Sequence, residues 1–315
     1  HITQQTKVKR LLAGESLAAQ GGDFEREFIF VDDGSGDGSA DMLGEQTRGW
    51  PAVTIIRQDN AGPAPALNRA LSAARGDLIK PMDGDDVLLP GATAALMAAL
   101  ESTGAAVAFG GCRSYRPTTP EALAAELAAL EPPPVSATPV GDTLRRSLRH
   151  TLSNPSGWLA KAETVRRSGG CDERVFIQDV SIELRLARLG DFARLDAPVF
   201  LVPETAPGRL SDNEAQILHD FNLACSHFLA DHPELPAKLR RFAAGRLLGC
   251  AWKWRRRKER CSALASPEFR ALVACRLGWP PTGRDRLIEL ACGPFRRTHP
   301  IRLTGKPAQL DKPSE

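Results

Sequence analysis

Two acidic clusters lie in the first third of the chain, and each directly follows a short apolar run, at residues 28–31 and 78–82. The carboxylates that follow these runs are Asp32 and Asp33 in the first cluster and Asp83, Asp85 and Asp86 in the second. Short runs rich in β-branched and aromatic residues, without a helical period, predict buried strands. Ligands of open α/β sheets bind at the carboxyl ends of the strands. The two clusters therefore predict an acidic crevice whose oxygen ligands suit a divalent metal.

The elements between and after the clusters are those needed to bring the carboxylates together. Residues 53–56 predict a further strand, and residues 64–74 predict a helix with Leu67 and Leu71 on one face. Alternating strands and helices predict a mostly parallel sheet flanked by helices, which is an α/β fold. Lys80 and Pro81 interrupt the second apolar run. Because proline cannot donate to a strand ladder, we expect a bulge there.

Four short motifs follow one another in this region. They are Val31-Asp32-Asp33-Gly34-Ser35, Asn60-Ala61-Gly62 with Leu67-Asn68-Arg69-Ala70, Ala74-Arg75-Gly76-Asp77, and Asp83-Gly84-Asp85-Asp86. In this order and spacing they resemble the nucleotide-sugar-binding half of family 2 glycosyltransferases with the GT-A fold, over residues 7–212. The resemblance implies a Rossmann-like GT-A domain at residues 1–212. It also implies inverting transfer of a hexosyl or related sugar from a nucleoside-diphosphate sugar, with a UDP-sugar as the expected donor.

The resemblance further implies roles for individual side chains in the donor site. Asp33 is expected to contact the nucleotide base, with Asp32 in support. Asp85 is expected to bind the metal, manganese or magnesium, and Asp83 to bind either the ribose or the metal. Arg209, in a loop after a predicted strand, is expected to contact the phosphates. A metal held by carboxylates would stabilise the negative charge that develops on the diphosphate as the glycosidic bond breaks.

A second set of matching residues begins after Ser153. The turn Gly169-Gly170-Cys171-Asp172-Glu173 resembles one in the same family. Asp179 follows at the predicted start of a helix, and the resemblance makes it the general base. A carboxylate within hydrogen-bond reach can take the proton of an acceptor hydroxyl as its oxygen attacks the anomeric carbon. Gln178 departs from the Glu that the family has there, and an Asp at this place could instead serve only as a helix cap.

Other chemistry fits the glycine-rich loop after Asp33 less well. A calcium-binding loop starting there would need Glu at its twelfth position, where the chain has Gly44, and a helix before it instead of a strand. A dinucleotide fingerprint would need a G-x-G-x-x-G spacing, whereas the glycines run G-x-G-x-G. A turn with Asx and capping chemistry alone is the remaining alternative. For the second cluster the corresponding alternative is a solvated acidic turn.

Two further segments depart from the family pattern. Residues 7–20 predict the first helix, whereas the family has a strand before it at the centre of the sheet. We therefore expect the chain to be a fragment that lacks this strand, because a central strand gives backbone hydrogen bonds to both neighbours. Residues 116–142 hold six prolines around an Ala- and Leu-rich helix. They predict either an inserted surface arm that shapes acceptor access or a linker.

Residues 213–315 predict a basic, α-helical C-terminal region. From Ala237 onward the sequence has 19 Lys and Arg against 6 Asp and Glu, and the remainder has 22 against 32. One cluster of cations comprises Lys253, Arg255, Arg256, Arg257 and Lys258, next to two tryptophans. Cations and aromatic rings suit an anionic membrane surface. Nucleic acid is a competing, less favoured partner, and a solvated helix face docked on the acidic part is the simplest alternative.

Composition and cysteine use bound the class of protein. Charged residues make up 25% and hydrophobic residues 42% of the 315 residues, values that exclude a disordered or fibrous chain. The seven cysteines form no C-x-x-C pair, which predicts free thiols in a reducing compartment. No apolar run has the length of a membrane span, and no signal-peptide pattern opens the sequence. The sequence therefore predicts a cytoplasmic protein, either soluble or peripheral at the inner face of the plasma membrane.

Together the patterns favour a metal-assisted glycosyltransferase in polysaccharide or lipopolysaccharide synthesis, acting on a saccharide or lipid-linked acceptor. The choice of acceptor rests on the basic tail and on analogy. A sugar-phosphate nucleotidyltransferase is a second interpretation, although the glycine-rich loop with a following Arg and Lys that it would need is not found near the start of the sequence. A non-catalytic nucleotide-sugar-binding or scaffold protein is the third, and Gln178 supports it.

Overall fold

Strands and helices alternate up to Pro203, and helices predominate after it. The computed structural model describes residues 12–116, 120–204, 213–259, 263–304 and 306–309. The strands are β1 (Phe28–Asp33), β2 (Val53–Gln58), β3 (Leu78–Ile79), β4 (Val87–Leu88), β5 (Val107–Tyr115), β6 (Ala137–Val140), β7 (Trp158–Lys161), β8 (Phe192–Pro203), β9 (Ile301–Leu303) and β10 (Lys306–Gln309). The helices are α1 (12–18), α2 (Ser39–Gln46), α3 (Pro63–Ala73), α4 (Ala92–Thr103), α5 (Pro120–Ala128), α6 (Thr143–Ser147), α7 (Ala162–Ser168), α8 (Gln178–Leu189), α9 (Glu214–Asp231), α10 (Ala237–Lys258), α11 (Pro267–Arg276) and α12 (Arg284–Thr298).

Two long strands, β5 and β8, run parallel inside a six-stranded sheet. The order of the sheet is β3-β7-β5-β8-β4, with β6 also paired to β8. The register of the central pair shifts at Gly110, where an added Cβ would lie 2.5 Å from Val199 Cγ1 and 2.9 Å from Ala197 O. A side chain at this position would collide with β8, so the glycine lets the two strands stay paired through the irregularity.

The strands β1 and β2 form a separate, parallel two-stranded sheet. In the six-stranded sheet, β7 pairs antiparallel with β3 and β5, and β8 pairs antiparallel with β4 and β6. These strands run back along their neighbours instead of returning through crossover helices. The predicted α/β class with flanking helices is confirmed, but the sheet is mixed and not mostly parallel.

The helix α4 shows how the sequence packs a helix on this sheet. Its buried residues lie three and four apart on one face; they are Ala92, Ala95, Leu96, Ala99 and Leu100. The same buried cluster includes Val199 and Phe200 of β8. The small alanines let the axis of α4 come close to the strands. This helix, which follows the second acidic cluster in the sequence, therefore covers one face of the sheet.

Two predicted segments differ in the structure. The strand predicted at residues 78–82 ends at Ile79, because Pro81 has no N–H group to donate to the ladder. The segment 116–142 contains β6, which pairs with β8 from Ala137 to Val140. The last part of this segment therefore belongs to the sheet and is not a linker.

The helices after Asn213 form a second buried core. α9 is buried along most of its length, from Ala215 to Leu229, and packs against α10 and α12. The same buried cluster includes Val180 and Leu184 of α8. The C-terminal helices therefore pack directly on α8, and the division predicted at residue 212 remains a prediction. In the part of the chain that the structure describes, no helix is apolar over enough of its length to cross a bilayer.

Candidate functional site

The second acidic cluster forms a turn that Ser156 holds against the sheet. Asp83 N donates a hydrogen bond to Ser156 Oγ at 2.9 Å, and Lys80 Nζ donates to Ser156 O at 2.6 Å. Ser156 is buried just before β7, so the turn is fixed to the strand that pairs with β3. The carboxylates of the turn lie at two depths, because Asp83 and Asp85 are half-buried whereas Asp86 is buried.

Lys80 places a cation beside this turn. Burial lowers the pKa of Lys80 to about 7, although the charges of Asp83 and Asp86 act to raise it. Lys80 interrupts the apolar run that precedes this turn in the sequence. Its side chain therefore supplies a hydrogen-bond donor next to the carboxylates.

The first acidic cluster ends β1 and shapes the loop after β2. Asp33 accepts hydrogen bonds from the backbone N–H groups of Ala61 and Gly62, both at 2.9 Å. Asp32 accepts one from Ser35 N at 3.2 Å. Two of the four motifs, 28 residues apart at Asp33 and Ala61, are thus in direct contact. Asp33 fixes the conformation of the loop that leads into α3.

This loop and α3 also contact the segment that leads to α8. An added Cβ on Gly62 would lie 3.8 Å from the ring of Phe176, three residues before Asp179. Asn68 Nδ2 donates to Cys171 O at 3.1 Å, and Asn68 Oδ1 accepts from Cys171 N at 2.7 Å. The fold therefore brings the predicted donor motifs to the side of the predicted base.

Asp179 is the second residue of α8, whose N-cap residue is Ile177. Asp179 therefore lies in the first turn of the helix and is not the N-cap residue itself. Its side chain is half-buried. Burial, followed by the charges of Glu183 and Asp86, raises the pKa of Asp179 to about 7. A carboxyl with this pKa is suited to general base catalysis near neutral pH.

Glu183 lies one turn further along α8, and the sequence analysis missed it. Its carboxylate accepts hydrogen bonds from Leu152 N at 2.9 Å and Ser153 N at 3.2 Å. Burial raises the pKa of Glu183. The sequence did contain a signal for Glu183, because an acidic residue four positions after Asp179 lies on the same side of a helix. Glu183 anchors the segment before β7 and places a second carboxyl beside the base.

The acidic turn fits a metal that is bound together with a substrate. Asp83 and Asp85 supply two half-buried carboxylates from one turn. Across the described ranges, no three His, Cys, Asp or Glu side chains form a complete metal site. Magnesium is commonly held by one or two carboxylates, with substrate phosphates and water as the other ligands. The two carboxylates are the ligand type and number that such a site needs from the protein.

A further buried carboxylate, Asp172, lies seven residues before Asp179. Arg174 donates to it from Nε at 2.7 Å and from Nη2 at 2.8 Å, and His227 Nδ1 lies 3.1 Å from Asp172 Oδ2. Arg174 also pairs with Asp231 of α9. Burial raises the pKa of Asp172, but the hydrogen bonds from His227 and Arg174 outweigh it and hold the pKa well below its ordinary value. Asp172 therefore fastens its turn to α9.

A cavity of about 300 Å³ lies on this side of α8. Its lining includes Asp172, Ser181, Arg185 and Arg188. On a helix, positions 181, 185 and 188 project away from positions 179 and 183. The cavity is therefore separate from the crevice at the acidic turn.

A buried network ties α9 and α12 to the start of α8. Asp220 Oδ2 accepts from Ile177 N at 2.9 Å, and Asp220 Oδ1 lies 2.6 Å from His219 Nδ1. Arg296 Nε donates to His219 Nε2 at 2.9 Å. Because a guanidinium can only donate, Nε2 accepts and Nδ1 donates to Asp220. The network fixes the backbone two residues before Asp179, and no local sequence pattern indicated it.

Two predicted sets of contacts remain predictions. Arg209 lies outside the described residues. In the cation cluster of α10, Arg255 pairs with Glu259 and Glu268, and Arg257 pairs with Glu214. Two of the five cations are thus engaged in internal ion pairs, as expected for a helix face docked on the rest of the chain.

The family model described as glycosyl transferase family 2 matches residues 13–156. The matched stretch contains both acidic clusters and ends at Ser156, which holds the second one. This part of the chain is therefore similar to that family.

Solved structures share the fold over nearly the whole chain. TarS 1-349 from S. aureus, in complex with UDP-GlcNAc, has a TM-score of 0.54 at 15% identity and aligns over 96% of this chain and 96% of its own. The mannosyltransferase PcManGT from Pyrobaculum calidifontis, in complex with GDP-Man and Mn2+, has a TM-score of 0.52 at 18% identity and aligns over 94% and 80%. These likenesses show a GT-A-like α/β fold.

A curated relative matches over a short stretch. The succinoglycan biosynthesis protein ExoU of Rhizobium meliloti is 36% identical over 66 residues, which are 21% of this chain and 19% of that protein. The chain thus spans less than a fifth of the length of this relative. A match of this length does not carry over the activity of the whole relative.

Proposed function

We propose that the protein is an inverting glycosyltransferase that moves a sugar from a nucleoside-diphosphate sugar to an acceptor hydroxyl. The observation that carries the proposal is the position of Asp179. Its carboxyl is half-buried at the start of α8, and burial together with the charges of Glu183 and Asp86 raises its pKa to about 7. Asp86 belongs to the same turn as Asp83 and Asp85, two carboxylates that suit a metal-bound diphosphate. A proton acceptor influenced by that turn supports a transfer reaction.

In the proposed reaction Asp179 accepts the proton of the acceptor hydroxyl. The hydroxyl oxygen attacks the anomeric carbon from the face opposite the diphosphate, and the bond between that carbon and the phosphate oxygen breaks with its electron pair on the leaving group. A single displacement of this kind inverts the anomeric centre. When bound to Asp83 and Asp85, manganese or magnesium would offset the charge of the diphosphate.

We assign Asp33 and Asp32 to the part of the donor site that binds the nucleotide base. Asp33 orders the backbone at Ala61 and Gly62, so its contact with a nucleotide would be made from a fixed position. Arg209 is proposed to contact the phosphates. A UDP-sugar is the proposed donor, since UDP-GlcNAc is bound in one structure with this fold; GDP-Man is bound in another.

The proposed acceptor is a saccharide or a lipid-linked molecule, used in the synthesis of a cell-surface polysaccharide or lipopolysaccharide. The name of the relative ExoU, a succinoglycan biosynthesis protein, supports this class of acceptor. A non-catalytic nucleotide-sugar-binding protein is the second candidate. Gln178, at the first position of α8 where the resembling family has Glu, favours it.

Calorimetry with UDP, GDP and dTDP, with and without manganese, tests the donor site. We expect one nucleotide to bind in a manganese-dependent way, and Asp85→Ala to abolish that dependence. Asp196→Ala, which removes an exposed carboxylate of β8 that pairs with Arg194, is the matched control and should bind as the wild type does. Absence of binding by the folded protein would contradict the proposal. Binding without release of nucleoside diphosphate from any nucleotide sugar would favour the second candidate.

A further inference from the structure

The helices α10 and α11 present a surface in which the exposed charges are positive. From Ala237 to Arg284 the sequence has thirteen Lys and Arg residues and two acidic residues, Glu259 and Glu268. Glu268 is buried and pairs with Arg255 and Arg297 at 3.0 and 3.4 Å. Glu259 pairs with the same two arginines at 2.7 and 3.6 Å. Both acids are therefore neutralised by internal ion pairs.

One face of α11 combines these cations with exposed apolar side chains. Arg270, Val273 and Leu277 lie three and four residues apart, so they share a face. Val273 is 39% exposed and Leu277 is 66% exposed. The opposite side carries Leu272 and Cys275, which are buried in the core shared with α10. Val273 and Leu277 lie outside this core, so they are not the residues that hold α11 in place.

The most exposed of these side chains, Trp279, is held by the end of the helix. Trp279 N donates to Ala274 O at 2.9 Å, and Gly278 N donates to Cys275 O at 3.2 Å. With Gly278 at φ 111°, this is a Schellman motif. The indole is nevertheless 72% exposed. Its backbone is therefore fixed while its ring is exposed to solvent.

The other end of α11 continues the same pattern. The rings of Trp252 and Phe269 lie 5.2 Å apart, and the Arg256 guanidinium lies 5.2 Å from the centroid of the Trp252 ring. An aromatic pair covered by a cation is an amphipathic arrangement with its polar end towards water. The surface therefore runs along the whole length of α11.

We propose that this α11 face, formed by Arg270, Val273, Arg276, Leu277 and Trp279, docks on a membrane surface of anionic phospholipids. Isolated cations interleaved with Val, Leu and Trp match such a surface, where cations meet the headgroups and the apolar side chains enter the boundary below them. The excess of acidic residues before Ala237, 32 against 22 basic ones, would be repelled by the same lipids. The charge asymmetry therefore orients the chain with α11 towards the membrane. The docking surface is centred on α11 and reaches the cation cluster at residues 253–258 only through Arg256, and it does not depend on the transferase activity.

Co-sedimentation with vesicles tests the α11 face. We expect the protein to bind vesicles of mixed phosphatidylglycerol and phosphatidylcholine, not vesicles of phosphatidylcholine alone, and to be released by salt. Trp279→Ala should lower the partition coefficient about tenfold. Arg270→Ala with Arg276→Ala should lower it about thirtyfold, since each cation near the surface contributes a factor of about five. Circular dichroism would verify that the variants are folded.

The matched controls carry equivalent changes elsewhere on the surface. Val135→Ala removes an exposed apolar side chain, and Arg48→Ala with Arg194→Ala removes two exposed cations. These variants should bind as the wild type does. Equal losses in the controls would overturn the proposal. So would binding of duplex DNA or RNA without vesicle binding, or a dimer in solution that Trp279→Ala dissociates.

Discussion

Two carboxylates, Asp172 and Asp179, lie seven residues apart around the start of α8, and their surroundings give them opposite properties. Asp172 receives hydrogen bonds from Arg174 and His227, and its pKa is held well below the ordinary value. Asp179 is near two further acids, Glu183 and Asp86, and its pKa is raised to about 7. Burial acts in the same direction on both.

Because burial raises the pKa of both carboxyls, the difference between the two sites comes from their charged partners. A carboxylate with bound cationic partners stays ionised and holds the fold together. A carboxylate without them, beside other acids, exchanges its proton near neutral pH and can act as a base. The turn at Asp172 is therefore structural in this account, and the start of α8 is where chemistry is expected.

The largest expected effect comes from removing the base. Asp179→Asn should lower turnover about a thousandfold, because a general base contributes on this scale. Nucleotide binding should persist, since the side chain is not assigned to the donor. Release of nucleoside diphosphate from a nucleotide sugar measures turnover, and Asp196→Asn is the control. Unchanged turnover in Asp179→Asn would remove Asp179 from the mechanism.

Asp172→Ala should act on stability instead. Losing a buried partner of Arg174 and His227 should cost about 2 kcal/mol, a value reduced because Arg174 is partly exposed. Urea unfolding measures the cost, and Asp231→Ala, at the exposed end of the same pair, should cost less. Because the pKa of Asp172 is lowered on folding, its stabilisation is present above the unfolded pKa of about 3.9 and is lost as the pH falls through the lower native pKa. A variant as stable as the wild type would show that the ion pair contributes nothing.

Asp220→Asn tests whether the buried network positions the base. Asp220 serves Ile177 N and His219 through different oxygens, and asparagine keeps only one of these acceptors. The network therefore loses one of its two bonds, so turnover should fall about tenfold while the affinity for nucleotide stays the same. Hydrogen exchange at the Ile177 amide should become faster. Ser226→Ala, another buried polar change on α9, should leave both quantities unchanged. Unaltered exchange at Ile177 in Asp220→Asn would contradict a positioning role.

The smallest expected effect is a displacement of the pH profile. Glu183 raises the pKa of Asp179, so Glu183→Gln should lower that pKa. The rate should then begin to rise at lower pH than in the wild type. A profile that stays in place, measured on a variant that thermal unfolding shows to be folded, would mean that the two carboxyls do not interact.

Local patterns predicted those parts of the site that depend on neighbours in sequence. The carboxylates at the ends of the first strands and the helix that starts at Gln178 were accessible in this way. The pairing of β6 with β8 was not, because strand pairing between distant segments leaves no local period. The chain was therefore predicted to have a more parallel sheet than it has.

The properties of the carboxylates were also beyond the sequence. Asp172 lies 55 residues from its partner His227, and Arg174 lies 57 residues from its second partner, Asp231. The tie between Asp220 and Ile177 spans 43 residues. The sequence showed Asp172 and Asp179 near the start of one helix. Only the fold shows that Asp172 is paired with cationic side chains and that Asp179 is near other acids.

The pH dependence of turnover at saturating nucleotide sugar, for the wild type and Asp179→Asn, tests the central claim most directly. A base that must be ionised gives a rate that rises with pH up to its pKa. We therefore expect the wild-type rate to rise through a midpoint close to 7 and then level off, following the raised pKa of Asp179. The rate of Asp179→Asn should be low and flat over the same range. The same rising limb in both proteins would show that another group is the base and would contradict the assignment of Asp179.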